Sequence, residues 1–391
     1  MSFMIVTGVK IDYLLLQSVL IVMSIILGIK LISRTGKSGN RKYWFYSIAY
    51  ILLFAIIEGL RYGRGIDYLH YEDLYVNAFD ESNMQDVVFT SLNRFLNILG
   101  VPVCGAFILY SALWCFSIFF FLRSFRNIIW LALPLFIIIS LPNFECLIRQ
   151  YFAFSFFLIS FSFWGERKKF LFSFFALLSC LSHIAMLFPL LLCVILGPLK
   201  FPFNAKYAIL IYLFLSYFFD YSSSGGIVNY ISLLNLNGNY SYYIQNSDMW
   251  LGEEAVRTEL QRGYMGKLAA TFFDCSIFYL SYEKMIKEEH PRFIVLIYNI
   301  VIISSLYMQA VMGVEIMRRL VTPLLCLHSI LIAYVIEEKF FRGIIVSYYK
   351  YKVIIVLYVL IVLAGKYIYA SPGQAYIWDK GKYTKTLQVF Q

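Results

Sequence analysis

The chain has 391 residues, of which 61% are hydrophobic, 19% aromatic and 14% charged, with a formal net charge of +10. A soluble domain carries about 25% charged residues, so the composition excludes an ordinary soluble fold and predicts an all-α polytopic membrane protein. The basic residues come in short clusters between apolar runs, the pattern that orients membrane proteins, and no aromatic-basic module accompanies them, so nucleic acid is not an expected partner.

A helical span needs about 20 apolar residues, fewer when it is short or bent. In chain order the runs predict about twelve transmembrane helices, near 12–32, 43–60, 101–122, 127–141, 145–165, 170–182, 184–198, 206–220, 265–282, 293–312, 319–336 and 352–370. Together they predict a single integral membrane domain over 1–391. No basic region precedes the first apolar run and no small-residue cleavage site follows it, so the first span is expected to stay in the membrane. The loops "SRTGKSGNRK", "RSFR", "GERKK", "GPLKFPFNAK", "EKMIKEEHPR" and "EEKFFRGIIVSYYKYK" hold most of the basic residues and fall on one face. That face is read as cytoplasmic, which puts both termini outside. The same rule reads Phe170–Leu196 as two short segments meeting near "SHIAM", with His183 at their outer junction.

Two long outer loops remain, about 61–99 and 220–267. The first includes "DVVFTSLNRFLNIL", whose apolar positions recur at helical spacing around Asp86, Asn93 and Arg94, as in an interfacial helix. Loops of this length are uncommon unless they have a function of their own or are disordered.

Charge placement supplies the first site residues. Arg61, Arg64, Arg94, Arg149, Arg257, Arg262, Arg318 and Arg319 all fall on the outer face or at outer helix ends, against the positive-inside rule. Such a set is costly near a bilayer and points to an anionic partner, and the planar guanidinium fork suits a diphosphate. Pairing with Asp67, Glu72, Glu145, Glu254 or Glu315, or snorkelling to the interface, is the structural alternative. Arg149 in "CLIRQYFAF" stands out because it sits within an apolar run with no nearby acid except Glu145, one helical turn earlier. Asp67, Glu72 and Asp73 offer a general base or a weak acidic metal motif, and His183 offers a base or a packing histidine. Outer-loop tyrosines offer sugar-stacking faces or an interfacial belt. Cys104, Cys115, Cys146, Cys180, Cys193, Cys275 and Cys326 lie mostly in apolar runs with no C-x-x-C pair, so no disulfide framework, metal or cofactor is expected.

The order "LRYGRGIDYLHY", then "IRQYFAFSFFLISFSFWGERKKFLFSFFALLSCLSHIAMLFPL", then "VEIMRRLVTPLL" resembles the EpsG-like branch of Wzy-type O-antigen and capsule polymerases. The resemblance marks Arg61, Gly65, Asp67, Tyr68, Arg149, Gln150, His183 and Arg319. Ile66 stands where the family pattern carries a threonine, and the tandem Arg318-Arg319 leaves two choices for the late arginine. What the resemblance implies is a glycosyltransferase of a bacterial inner membrane that joins undecaprenyl-diphosphate-linked oligosaccharide units at the outer face. A protein that sets chain length is an implied partner. In that frame Arg149, Arg319 and Arg262 serve the diphosphate, Asp67 or His183 is the base, and Asp67 has the alternative of orienting Arg61 or Arg64. A ligase or other lipid-phosphosugar transferase, and a flippase of lipid-linked oligosaccharide, are the competing readings.

Overall fold

Helix α1 (Ser2–Leu31) buries Tyr13, Gln17, Leu20, Ser24, Leu27 and Leu31 along one stripe and exposes Ile11, Leu15, Val19, Val22, Ile26 and Ile29 along the other. A water-facing helix does the reverse, with its polar face outward. Here the polar groups turn to the protein and the greasy stripe turns out, as a lipid-facing helix requires. This is seen in a computed structural model of the chain, which describes residues 2–32, 37–64, 67–80, 86–219, 264–287, 289–312, 315–340 and 375–379. They divide into two compact units, 1–184 with 336–391, and 185–335.

The first unit continues with α2 (Lys37–Gly59), strand β1 (Arg61–Tyr62), α3 (Tyr68–Val76), α4 (Val87–Ile98), α5 (Val103–Leu122), α6 (Ile129–Cys146), α7 (Ile148–Gly165) and α8 (Lys169–Ser182). Helix α1 packs on α2 and α6, α2 on α5, and α7 on both α5 and α8. Two glycines set the closest approaches. A Cβ at Gly28 would lie 2.5 Å from the Trp130 Cα, and one at Gly59 would lie 2.5 Å from the Ile108 Cα. The core is aromatic, with fully buried Trp114 among Phe136, Phe144, Tyr151 and Phe154. Hydroxyls tie the helices together where apolar packing alone gives no direction: Tyr43 donates to the Phe119 carbonyl, Tyr50 to Leu20 and Ser179 to Ala153.

The two ends of this unit differ in chemistry. At one end Arg123 and Lys168 both hold Glu166, and Arg126 reaches Asn40, so turns from three of the basic loops lie together. The other end carries β1, α3, α4, the α6–α7 break at Leu147 and the end of α8. Helix α4 buries Phe89, Asn93 and Leu96 and exposes Phe95 and Ile98, in keeping with an interfacial helix. Strand β1 pairs antiparallel with β2 (Ala375–Tyr376), and apart from this two-residue ladder the described residues are helix and turn.

The second unit comprises α9 (Leu187–Leu196), α10 (Ala205–Tyr217), α11 (Tyr264–Lys287), α12 (Arg292–Ala310), the short α13 (Glu315–Arg318), a 3-10 turn over Thr322–Leu327 and the start of α14 (His328–Phe340). Asn299 of α12 accepts from the Phe203 N–H and donates to the Phe201 carbonyl, clamping the turn that opens α10.

The expected spans from the first to that at 319–336 overlap helix, although that at 145–165 crosses the break at Leu147 and that at 319–336 opens in a turn and a 3-10 segment; the segment at 352–370 lies outside the described residues. By length and apolar composition four of these helices are able to cross a membrane, Ile11–Leu31, the segment from Val103 to Phe125, Ile129–Cys146 and Arg292–Ala310, beside shorter apolar ones. The chain is an all-α integral membrane protein. The break at His183 is as expected: α8 stops there on extended backbone, and a 3-10 turn leads into α9.

Candidate functional site

Glu58 lies in the last turn of α2, and the next turn folds back so that two arginines meet it. Arg64 Nη2 donates to Glu58 Oε2 at 2.9 Å, and its Nη1 lies 3.4 Å from Glu145 Oε1. Arg61 Nη1 donates to the Glu58 carbonyl at 2.9 Å. Gln17 of α1 donates to the other Glu58 oxygen at 2.5 Å. Both guanidiniums have zero exposure and lie over rings, Arg61 between Phe107 and Phe144, Arg64 between Tyr13 and Tyr376. Burial pulls Arg61 below the ordinary arginine value in spite of Glu58 and Glu145. For Arg64 burial acts the same way, but the two carboxylates outweigh it and hold the proton more tightly. Among the described residues, the Arg61 Nε and Nη2 groups have no hydrogen-bond acceptor.

The acids on these arginines are therefore Glu58 and Glu145. Among the described residues Asp67, which precedes α3, forms no ion pair with an arginine, so the orienting role considered for it falls to Glu58. Tyr68 stacks on Phe107 at 5.0 Å and is buried, and burial with the nearby Glu72 pushes its hydroxyl up. Its ring thus joins the cluster that binds α3 to α5. Gln150 is buried as well.

A second cluster is shallower. Asp86, just before α4, places Oδ2 3.0 Å from Arg149 Nε and 3.4 Å from His183 Nδ1. Arg149 comes from the first turn of α7 and His183 from the end of α8, so three elements converge on one carboxylate. The side chains of Arg149, Asp86 and His183 are 18%, 11% and 22% exposed, which leaves the group reachable. In sequence the only acid near Arg149 is Glu145, one turn earlier. The irregular Leu147 between α6 and α7 interrupts the helical register, and Glu145 goes to Arg64 instead. Two sequence-selected residues, Arg149 and His183, are thus brought together, and Asp86 is the member that sequence reading left out of the site.

In the second unit Arg318 ends α13, with its carbonyl accepting from Thr322 Oγ1 at 2.8 Å, and Arg319 follows in the next turn. Arg257, Arg262 and Gly65 lie outside the described residues. A polar network of this unit was not singled out from sequence. Ser216 donates to Gln309, Gln309 to Tyr212 and Tyr212 to Asp274, while His328 Nε2 approaches Asp274 at 3.1 Å. The signal lay in polar residues spaced over four separate apolar runs. Among the described residues no group of three or more His, Cys, Asp or Glu side chains is placed to hold a metal ion.

The EpsG family profile matches residues 43–378. The chain belongs to the EpsG family. The match takes in both clusters of the first unit and the polar network of the second. No curated protein and no solved structure matches this EpsG family chain.

Proposed function

We propose that this EpsG family member is a polysaccharide polymerase that joins oligosaccharide units carried on undecaprenyl diphosphate. The observation that carries the reading is the meeting of Arg149 and His183 on one carboxylate, at the end of the first unit remote from the basic turns. In this reading the basic end is cytoplasmic, both termini are outside, the helices make about twelve crossings of a bacterial inner membrane, and the Asp86 end faces outward. The incoming unit's hydroxyl attacks C1 of the growing glycan's first sugar. A glycosidic C–O bond forms, the C1–O bond to diphosphate breaks, and the lipid diphosphate leaves with that electron pair.

Two roles follow for the residues. His183 takes the proton of the attacking hydroxyl as general base. Arg149 stabilises charge building on the leaving diphosphate, where a poorly hydrated surround strengthens the interaction. His183 is preferred to Asp67 because it shares an anchor with the diphosphate arginine. Arg61 and Arg64, held on Glu58 and Glu145, shape the wall behind the site. Arg257, Arg262, Arg318 and Arg319 are further diphosphate contacts in this reading, each open to its own alanine variant. A length-setting protein is the proposed partner.

The test is glycan laddering from a strain that lacks the gene, complemented with wild type, Arg149→Ala or His183→Ala at matched membrane levels. The expected result is a ladder from wild type and single-repeat glycan from the deletion and both variants. Loss of even the single repeat in the deletion strain would point to a transporter or ligase instead. Normal ladders from both variants would remove these residues from the mechanism.

A further inference from the structure

Asp86 stands at the N-cap position of α4 with the extended backbone a cap adopts, φ −135° and ψ 111°, yet its side chain makes no capping hydrogen bond. An aspartate at this position ordinarily accepts from the N–H two or three residues on, worth about 1 kcal/mol. Here the backbone carbonyl takes the Thr90 N–H at 2.9 Å, and the carboxylate turns away from the helix it could cap. It faces Arg149 Nε at 3.0 Å and His183 Nδ1 at 3.4 Å, close ionic contacts short of hydrogen-bond geometry, so Oδ2 and Nδ1 are buried with no hydrogen-bond partner among the described residues. Neither partner is on α4, so the contact is not local helix chemistry. Nor does it complete the buried ion cluster nearby, whose acids are Glu58 and Glu145.

We infer that Asp86 is the positioning residue of this site, holding the His183 ring by Nδ1 and the Arg149 guanidinium by Nε. The inference rests on the polymerase reading and adds a residue to its machinery. A carboxylate on Nδ1 fixes the ring so that Nε2, the other nitrogen, meets the acceptor hydroxyl. During transfer the hydroxyl proton passes to Nε2, and the new imidazolium lies beside the Asp86 carboxylate. The same carboxylate engages Arg149 at Nε, so one anion sets the distance between base and diphosphate contact. Fixing two groups at once is what converts a bimolecular encounter into an oriented one.

A plain latch between α4 and helices α7 and α8 would use the same contacts, so the test must separate the two roles. The experiment is a double-mutant cycle on the full chain in detergent or nanodiscs, with lipid-diphosphate-linked repeat unit as substrate and kcat and KM measured for wild type, Asp86→Asn, His183→Ala and the double variant. Thermal unfolding of each is followed alongside. The expected result is a fall in kcat on the order of 10²-fold for Asp86→Asn with a much smaller change in KM, and a double variant no slower than His183→Ala. Wild-type kcat in Asp86→Asn would overturn the inference, as would losses that multiply in the double variant, the signature of an independent structural latch. Wild-type kcat in His183→Ala would instead sink the base assignment on which the inference stands. Should Asp86→Asn fail to accumulate, Asp86→Glu keeps the charge and moves the carboxylate by one methylene. A lowered kcat in folded Asp86→Glu supports positioning, and an unchanged one overturns it.

Discussion

Arg64 and Tyr376 are 312 residues apart in sequence, yet Arg64 Nη1 donates to the Tyr376 hydroxyl at 3.3 Å and the guanidinium lies 4.7 Å from the ring centre. Tyr376 stacks in turn on Trp378, and the Ile377 N–H donates to the Leu60 carbonyl. This short strap covers the buried ion cluster from the C-terminal side. Its ring matters more than its hydroxyl, because a desolvated cation over an aromatic face gains up to about 2 kcal/mol and truncating a buried ring costs about 3–5 kcal/mol. Tyr376→Ala is therefore expected to cost about 3 kcal/mol, and Tyr376→Phe about 1 kcal/mol for the one hydrogen bond. Thermal unfolding in detergent compares them. Equal losses from the two variants would assign the effect to the hydroxyl.

Gly59 is the tightest helix contact that sequence could not foresee. An added Cβ meets the Ile108 side chain at 2.3 Å and its backbone at 2.5 and 2.7 Å, and backbone cannot swing aside as a side chain tip can. Gly100 is the control, with φ +68° and nothing within 4 Å of its Cβ position. Gly59→Ala is expected to cost about 3 kcal/mol or more by forcing α2 from α5, and Gly100→Ala about 1 kcal/mol from backbone strain alone. Because Gly59 adjoins Glu58, the first substitution should also lower ladder formation, read on the same gel assay.

The helices were legible because apolar runs of this length have few alternatives, and α4 was legible because Phe89, Asn93 and Leu96 recur at helical spacing. The break at His183 was legible from charge parity. Pairing was not. Along the chain the only acid near Arg149 is Glu145, one turn earlier, but the turn between them is broken at Leu147 and each finds a distant partner. Asp86 was visible as a polar position of an interfacial helix, and nothing local distinguishes an aspartate that caps from one that turns away. Glu58 was hidden for a similar reason, since the end of an apolar run gives no sign that two arginines will fold back onto it.

Glu166 gives the protein a pH-dependent contact at the basic end. Burial pushes its carboxyl up, but the Lys168 hydrogen bond and the Arg123 charge outweigh burial and hold it below the usual carboxylate range. A depressed folded-state value means that the contribution is present above the unfolded carboxylate range and is lost as pH falls through the folded one. Stability measured by thermal unfolding should thus decline on acidification, with Glu166→Gln removing part of that slope. The change at neutral pH is expected to be small, about 0.2–1 kcal/mol for a partly exposed pair. An unaltered acid slope in Glu166→Gln would exclude this residue as a source.

Arg149→Lys separates charge from geometry at the site. Lysine keeps the positive charge but has no Nε–H fixed in a planar fork, so it cannot reproduce both the 3.0 Å contact to Asp86 and paired donation to a phosphate. Polymer formation is expected to fall by about tenfold or more in Arg149→Lys, close to Arg149→Ala, with membrane levels unchanged. Wild-type ladders from the lysine variant would show that a point charge suffices.

The polar network of the second unit has a direction that makes its own prediction. Ser216, Gln309 and Tyr212 donate in series toward Asp274 Oδ2, which is an acceptor at 2.7 Å from the Tyr212 hydroxyl. On the other side His328 faces the Leu325 carbonyl through Nδ1 at 2.9 Å and Asp274 Oδ1 through Nε2 at 3.1 Å. Nε2 also lies 3.3 Å from Ser305 Oγ, and because the Leu325 carbonyl can only accept, Nδ1 is the donor to it. Asparagine at 274 can keep its carbonyl for the Tyr212 hydroxyl and turn its amide N–H toward Nε2, leaving every group with a partner. Alanine strands both the hydroxyl and the imidazole in an apolar surround. Asp274→Asn is therefore expected to cost about 1 kcal/mol and Asp274→Ala about 3–5 kcal/mol in detergent unfolding. Equal destabilisation by the two variants would mean that the charge of Asp274 rather than its hydrogen bonding holds the network.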